Sequence, residues 1–199
     1  MTLSPPLAVR PVTLSGRHVR LEPLSLDHLD ALASWALEPS LWQWAYRVID
    51  SRAALEQFVR TALAEQAEGK SLPFVTWHLG DRRVVGTSRF MNIVAADHKL
   101  EIGATYVAVP YQRTVVNTEA KLLMFTHAFE TLGAQRVELK TSALNARSRA
   151  AMERIGCTFE GIHRRTTYHW DGTPRDHAWY SVIAQEWPLV KSRIEARLA

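Results

Sequence analysis

Apolar and polar residues alternate in several short runs of this chain, and between those runs apolar residues recur at spacings of three and four. Alternation is typical of half-buried strands, and the wider spacing is typical of an apolar helix face. The pattern predicts a strand at 17–23 and helices that begin at Ser25 and Ser51, whose hydroxyls can cap them. Residues 1–16 show neither period and contain three prolines, so they predict an extended arm ahead of one domain at 17–199.

Three β-type runs follow with turn residues between them, which predicts an antiparallel meander at 72–79, 83–93 and 100–109. The remaining pattern predicts helices at 118–133, 145–155 and 187–198 and strands at 136–141, 158–170 and 175–184. The fold class is therefore α/β (α+β): a single domain with a mixed central sheet of about seven strands, flanked by helices and ending in a C-terminal helix.

Composition narrows the class of protein. Of 199 residues, 47% are hydrophobic and 22% are charged, which excludes a disordered or fibrous chain. No apolar run approaches the roughly 20 residues of a transmembrane helix, and Met1 to Arg10 lack the pattern of a secretory signal, so we expect a cytoplasmic protein without membrane contact. The single cysteine, Cys157, is expected in the core. The eight histidines lack zinc-site spacing, and we expect no metal.

The formal net charge of +4 is unevenly distributed. Residues 26–69 hold seven acids against three bases, a net of −4, whereas residues 110–155 hold seven bases against four acids, a net of +3. A uniformly basic surface would indicate a phosphate backbone. This uneven distribution of charge instead predicts that one half of the domain binds an anion and the other attracts a cation, without direct nucleic-acid binding. The alternative is that these charges are scattered over the surface and only solvated.

The basic half contains a strand that leads through a short loop, 110–118, into a helix. Free N–H groups and the positive end of the dipole make such a helix N-terminus suitable for an anion such as a diphosphate. Arg113 adds a formal charge to this loop.

Three motifs in this region carry a resemblance to a known family. They are Val-Asn-Thr-Glu-Ala-Lys at 116–121, Val-Glu-Leu-Lys at 137–140, and Asn-Ala-Arg-Ser-Arg-Ala-Ala-Met-Glu-Arg-Ile-Gly at 145–156. With these motifs the chain resembles the GCN5-related N-acetyltransferase (GNAT) superfamily, and within it the RimJ/RimL-type branch, over roughly residues 15–199. Shorter matches near the C-terminus, such as Phe-Glu-Gly at 159–161 and Glu-Trp-Pro at 186–188, strengthen it.

The resemblance implies an enzyme that uses acetyl-CoA and no metal, and transfers the acetyl group directly to a primary amine. The expected acceptor is the N-terminal α-amine of a protein or peptide, of the ribosomal-protein type. Two alternatives remain open: a GNAT-fold acyltransferase for a small-molecule amine or a longer acyl-CoA, and a non-catalytic acyl-CoA-binding or ribosome-associated module. Homodimers are common in this family, so a homodimer is a further arrangement that the resemblance leaves open.

The resemblance also implies where the cofactor binds, with the loop at 112–117 around the pyrophosphate. The family has small residues where this chain has Val115 and Asn117. Because a β-branched residue resists positive φ, we expect Val115 to restrict the loop. Asn145 is expected to bind near the pantetheine arm or, equally, to cap its helix. The expected cofactor-binding residues are Tyr106, Val107, Ala108, Gln112, Arg113, Thr114, Val115, Val116, Asn117, Thr118, Asn145 and Ser148.

Two side chains are candidates for proton transfer. Ser148 resembles the RimL-type serine that protonates the departing CoA thiolate, with helix capping or solvent contact as the alternative. Glu101 is expected to hold or deprotonate the attacking ammonium, with an ordinary pairing to a nearby Arg as the alternative. A weak base suffices for an α-amine, because about one-tenth of it is neutral at pH 7, against about one lysine in 2,500. A backbone N–H near Tyr106 to Ala108 is expected to polarise the thioester carbonyl.

Aromatic residues are expected beside the acceptor, in the loop between the first two helices and near the late hairpin. An aromatic wall that faces an acidic lobe can receive a cationic amine, and core packing is the alternative. The expected substrate-binding residues are Trp42, Trp44, Tyr46, Tyr168 and Trp170.

Overall fold

Eight strands form one mixed sheet in the computed structural model, which describes residues 5–199. The strands are β1 (Leu14–Ser15), β2 (Val19–Pro23), β3 (Leu72–His78), β4 (Arg83–Val94), β5 (Lys99–Val107), β6 (Arg136–Ser142), β7 (Thr158–Tyr168) and β8 (Pro174–Ile183). The helices are α1 (Leu29–Ala36), α2 (Arg52–Ala67), α3 (Val115–Thr126), α4 (Ala146–Ile155) and α5 (Trp187–Glu195). The predicted class is confirmed. The eighth strand, β1, lies in the segment that was predicted as an arm.

The sheet order is β1-β2-β3-β4-β5-β6-β8-β7, and every neighbouring pair is antiparallel except β5 and β6. Helices α3, α4 and α5 cover one face, which we call the α3 face; its core includes Leu100, Met124 and Tyr180. Helices α1 and α2 cover part of the opposite face, the α2 face, around Val75 and Phe58. The amphipathic pattern of each helix is satisfied by this two-sided packing.

The parallel strands β5 and β6 separate after a short pairing. Their register covers only Lys99–Glu101 against Arg136–Glu138. Beyond it, residues 102–107 of β5 remain paired to β4 alone, and residues 139–142 of β6 remain paired to β8 alone. The sheet therefore contains a V-shaped opening between 102–107 and 139–142.

A β-bulge at Ala104 reverses the alternation of side chains along β5. Ala104 has φ +46°, and the register with β4 shifts between Arg89–Gly103 and Thr87–Tyr106. Because a bulge inserts one residue, side chains beyond it change faces. Thr105 therefore contacts Lys121 of α3, whereas Tyr106 packs on the α2 face.

Helix α3 begins three residues before the predicted capping position, Thr118. Thr114 is the N-cap, and its side chain accepts a hydrogen bond from Val116 N.

Within residues 5–199, no helix is long and apolar enough to cross a membrane.

Candidate active site

The N-terminus of α3 lies next to the opening and carries the groups that an anion needs. Thr114 Oγ1 accepts from Val116 N at 3.3 Å and donates to Tyr111 O at 2.7 Å, which orders the first turn. The first N–H groups of a helix have no intrahelical acceptor, and the first turn of α3 has no acidic residue. Exposed Arg113 adds a positive charge. This arrangement fits a pyrophosphate.

The expectation about Val115 is wrong in its physical basis. The left-handed residue of the loop is Arg113, with φ +61°, and Val115 is the first residue of α3. A β-branched residue adopts helical φ without strain at this position. Val115 therefore does not restrict the loop.

One backbone N–H points into the opening. Ala108 donates its N–H to Val85 O at 2.8 Å, so the predicted donor role of Ala108 is wrong. Hydrogen-bonded and non-hydrogen-bonded residue pairs alternate in an antiparallel ladder. The adjacent pair, Val107 and Gly86, is therefore a non-hydrogen-bonded pair, and the backbone N–H and C=O groups of Val107 point away from β4. Gln112 Nε2 donates to Val107 O at 2.9 Å, as that geometry requires. Val107 N–H therefore faces the opening on the same side.

Gln112 also connects the two sides of the opening. Its Oε1 accepts from Arg147 Nη1 at 2.9 Å, which links the loop before α3 to the first turn of α4. A cavity of about 420 Å³ lies here, and Trp44, Gln112, Asn145 and Arg147 line it. The structure thus brings predicted cofactor residues and a predicted substrate residue to one cavity. A larger cavity of about 580 Å³ beside α1 contains a single predicted site residue, Ala108.

Asn145 caps α4, as its alternative interpretation proposed. Its Oδ1 accepts from Ser148 N at 3.0 Å. The Ser148 side chain is partly buried in the first turn of α4. Both side chains therefore lie at the α4 end of the opening.

Glu101 lies at the point where β5 and β6 begin to separate. Its side chain is buried, and Oε2 accepts from Lys140 Nζ and Asn92 Nδ2, each at 2.8 Å. The Lys140 ammonium also lies 4.9 Å from the centroid of the Trp179 ring. The carboxylate is thus ion-paired, with a lysine rather than the arginine that the alternative proposed. In the part of the chain that the structure describes, Oε1 has no partner.

The five predicted substrate residues fall into two groups. Trp42 is 2% exposed, and its indole donates to Ala36 O at 2.8 Å, so it belongs to the core and its predicted acceptor contact is wrong. Trp44 lies beside His169, with ring centroids 6.5 Å apart, and so connects the loop after α1 to the β7–β8 hairpin. The remaining three are exposed side chains: Tyr46, Tyr168 and Trp170.

Three side chains of the α2 face are relevant to the site, and the sequence identified only one of them, Tyr106, as an expected cofactor-binding residue. Tyr106 packs on Trp42 with ring centroids 4.3 Å apart, and burial raises the pKa of Tyr106 to about 12. Arg175 and His177 are buried on β8. Their spacing of two predicted a shared face. Nothing in the pattern indicated that this face forms the floor of the cleft, by which we mean the part of the α2 face beside the opening.

Cys157 is buried, and burial raises the pKa of its thiol to about 12, so the prediction of a core cysteine is confirmed. Among residues 5–199, no cluster of three or more His, Cys, Asp or Glu side chains is arranged to hold a metal ion.

Comparison with known proteins gives this geometry its context. The family model described as "Acetyltransferase (GNAT) domain" matches residues 18–158. A crystal structure of a GCN5-related N-acetyltransferase from Brucella melitensis is 32% identical, with a TM-score of 0.90, and the match covers 98% of this chain and 90% of that one. Mycobacterium smegmatis RimJ, solved in complex with CoA-disulfide, is 24% identical with a TM-score of 0.82 over 94% of both chains, which shows a shared fold.

A curated relative from Bacillus subtilis (strain 168), named "Putative ribosomal N-acetyltransferase YdaF", is 33% identical over 109 residues. That match covers 55% of this chain and 58% of the relative, so the chain spans little more than half the length of this relative. The match of the acetyltransferase model to most of the chain, together with the structural likeness over 98% of it, shows that the chain belongs to the GNAT family of acetyltransferases.

Proposed function

We propose that the protein transfers the acetyl group of acetyl-CoA to the N-terminal α-amine of a protein or peptide, in the cytoplasm. The observation that carries this proposal is the opening between β5 and β6, which joins the anion site at α3 to the polar α2 face. The name of the curated relative YdaF supports an acceptor of the ribosomal-protein type.

The residues at α3 fit the donor substrate. Free N–H groups of the first turn, Arg113 and the absence of an acidic residue there suit the pyrophosphate. Val107 N–H would donate to the thioester oxygen and stabilise the negative charge that develops on it. The cavity lined by Gln112 and Asn145 would hold the pantetheine arm.

The reaction is a direct displacement. The neutral amine nitrogen attacks the thioester carbonyl carbon, the C–S bond breaks, and the new amide nitrogen loses one proton. The Ser148 hydroxyl would donate a proton to the thiolate, although a thiol with a pKa near 8.5 is already a fair leaving group. Glu101 would accept the amine proton, directly or through water, on Oε1, because Lys140 and Asn92 hold Oε2.

Free-thiol release from acetyl-CoA in the presence of an N-terminal peptide library tests this function. We expect release with a subset of peptides and a mass gain of one acetyl group on each product. Intact-mass comparison of proteins from a deletion strain would then identify the natural acceptor. Absence of release above the blank with every amine would refute the catalytic proposal.

Two variants test the assigned groups. Arg113→Gln should weaken CoA binding about fivefold in calorimetry at low salt, whereas Arg165→Gln, also exposed with positive φ, should not. Glu101→Gln should lower kcat/KM about tenfold at pH 7 and much less at pH 9, where the amine is already neutral. Glu138→Gln, at the paired position of β6, is the control. An equal loss at both pH values would contradict a role of Glu101 in proton transfer.

A further inference from the structure

Arg175 is a buried cation without a counter-ion. It is 9% exposed, and its guanidinium forms no hydrogen bond and no ion pair with any residue from 5 to 199. Its Nε atom is fully buried and unpartnered. Buried arginine is normally paired, because an uncompensated buried charge is strongly destabilising. Arg89, the other buried arginine of this region, pairs with Glu65 at 2.8 Å.

The side chain of Arg175 belongs to the floor of the cleft. On β8 it shares a face with His177 and Trp179, and Trp179 lies opposite Lys140 of β6. Ala178, three residues farther along β8, faces the α3 core, and this odd spacing places Arg175 on the α2 face. Burial raises the pKa of the Tyr106 phenol, at the β5 side of the opening, and the nearby charge of Arg175 opposes that rise.

The surroundings of Arg175 contain positive charge and no available carboxylate. His177 bonds to Thr166 Oγ1, and its pKa falls to about 4, chiefly through burial, with Arg175 and Lys140 contributing. The ring of His177 is therefore neutral at pH 7. Burial also lowers the pKa of Arg175, yet a guanidinium stays charged at neutral pH. Among residues 5–199, the carboxylates on this face of the neighbouring strands are already paired, Glu101 with Lys140 and both Glu138 and Glu160 with Arg136.

We propose that Arg175 binds a carboxylate of the acceptor, so that the enzyme prefers amines that carry an acidic group a short distance from the reactive nitrogen. This inference rests on the proposed function. The planar fork of arginine matches a carboxylate with two parallel hydrogen bonds. The carboxylate is either the side chain of an Asp or Glu near a peptide N-terminus or the α-carboxylate of a free amino acid. In both cases it supplies the missing counter-ion.

Matched acceptors test the preference. Thiol release is compared for N-terminal peptides that differ only by Asp or Asn at position two or three, and for free amino acids against their amides. The wild-type protein should prefer the carboxylate at least tenfold in kcat/KM with one of the two sets, which identifies its source. Arg175→Gln should abolish this preference, so that the ratio of kcat/KM for acidic and amide acceptors falls to about one. Arg164→Gln, which removes an exposed charge from the neighbouring β7, should retain the preference.

Binding measurements separate failure of this inference from failure of the proposed function. Calorimetry with CoA-loaded protein compares the same Asp and Asn peptides and the amino acids with their amides. Carboxylate-dependent binding without thiol release would refute catalysis and support the role of Arg175. Equal affinity and equal turnover for acidic and amide acceptors would overturn the role of Arg175, as would a loss of CoA affinity in Arg175→Gln. The comparison of acceptors uses the wild-type protein, so it does not depend on how the variant folds.

Discussion

The carboxylate of Glu119 joins α3 to the turn between β1 and β2, and its removal should destabilise the protein. Oε1 accepts from Arg17 N at 2.8 Å, and Oε2 accepts from His18 N and Val19 N at 2.7 Å each. Glu119 is 5% exposed, so the three bonds lie at the edge of the core. We expect Glu119→Ala to lower the free energy of unfolding and Glu119→Gln to lower it less.

The magnitude follows from the environment of each donor. Val19 is fully buried, and leaving its N–H unpaired costs about 2 kcal/mol. Arg17 and His18 can regain water, so their losses are about 1 kcal/mol each. The total for Glu119→Ala is about 4 kcal/mol, which lowers Tm by about 8–16 °C in a chain of this size. Glutamine keeps one acceptor oxygen for the His18 and Val19 donors, so Glu119→Gln should cost about 1–2 kcal/mol.

Urea unfolding followed by circular dichroism measures these differences, with calorimetry for Tm. Glu56→Ala is the control, because Glu56 pairs with Arg60 on the exposed face of α2 and should contribute less than about 0.5 kcal/mol. Gly16→Ala should disturb the same contact, because a Cβ at residue 16 would lie 2.6 Å from Glu119 Cδ. A Glu119→Ala protein as stable as the control would refute the reasoning.

Three further predictions concern α3 and its surroundings. Burial lowers the pKa of Lys121 to about 7, so between about pH 7 and 8.5 the unfolded chain binds more protons and wild-type stability should rise with pH, by up to about 1.4 kcal/mol per unit. Above this range the Cys157 thiol ionises first in the unfolded chain and opposes the rise. Lys121→Met should remove the slope in unfolding measured between about pH 7 and 8.5. Cys157 should react with iodoacetamide about 100-fold more slowly in native protein than in urea, and equal rates followed by mass spectrometry would contradict its burial. Thr114→Ala removes the α3 cap, so it should lower the free energy of unfolding by about 1 kcal/mol and weaken CoA binding in calorimetry. Thr61→Ala, on the solvent side of α2, should leave CoA affinity unchanged.

The sequence by itself determined the order of elements and the family. Short-range periodicity depends on neighbours along the chain, so it located the meander, the helices and the strand-loop-helix unit around Arg113. The same local reasoning gave a helix cap as one of two equal roles for Asn145 and placed Cys157 in the core. It placed the start of α3 at Thr118 instead of Thr114, because both threonines are suitable caps and only packing selects one.

The tertiary structure decided which way the side chains face and which partners they meet. The bulge at Ala104 turns Tyr106 toward the α2 face. Val115 has the φ of a helical residue, so the strain that a positive φ would cause at this position does not arise. Long-range packing buries Trp42 and pairs Glu101 with Lys140. The site of Arg175 has the same cause. Alternation along β8 predicts that Arg175 shares a face with His177, but only the assembled sheet shows that this face lies beside the opening and that no residue from 5 to 199 pairs with the charge of Arg175.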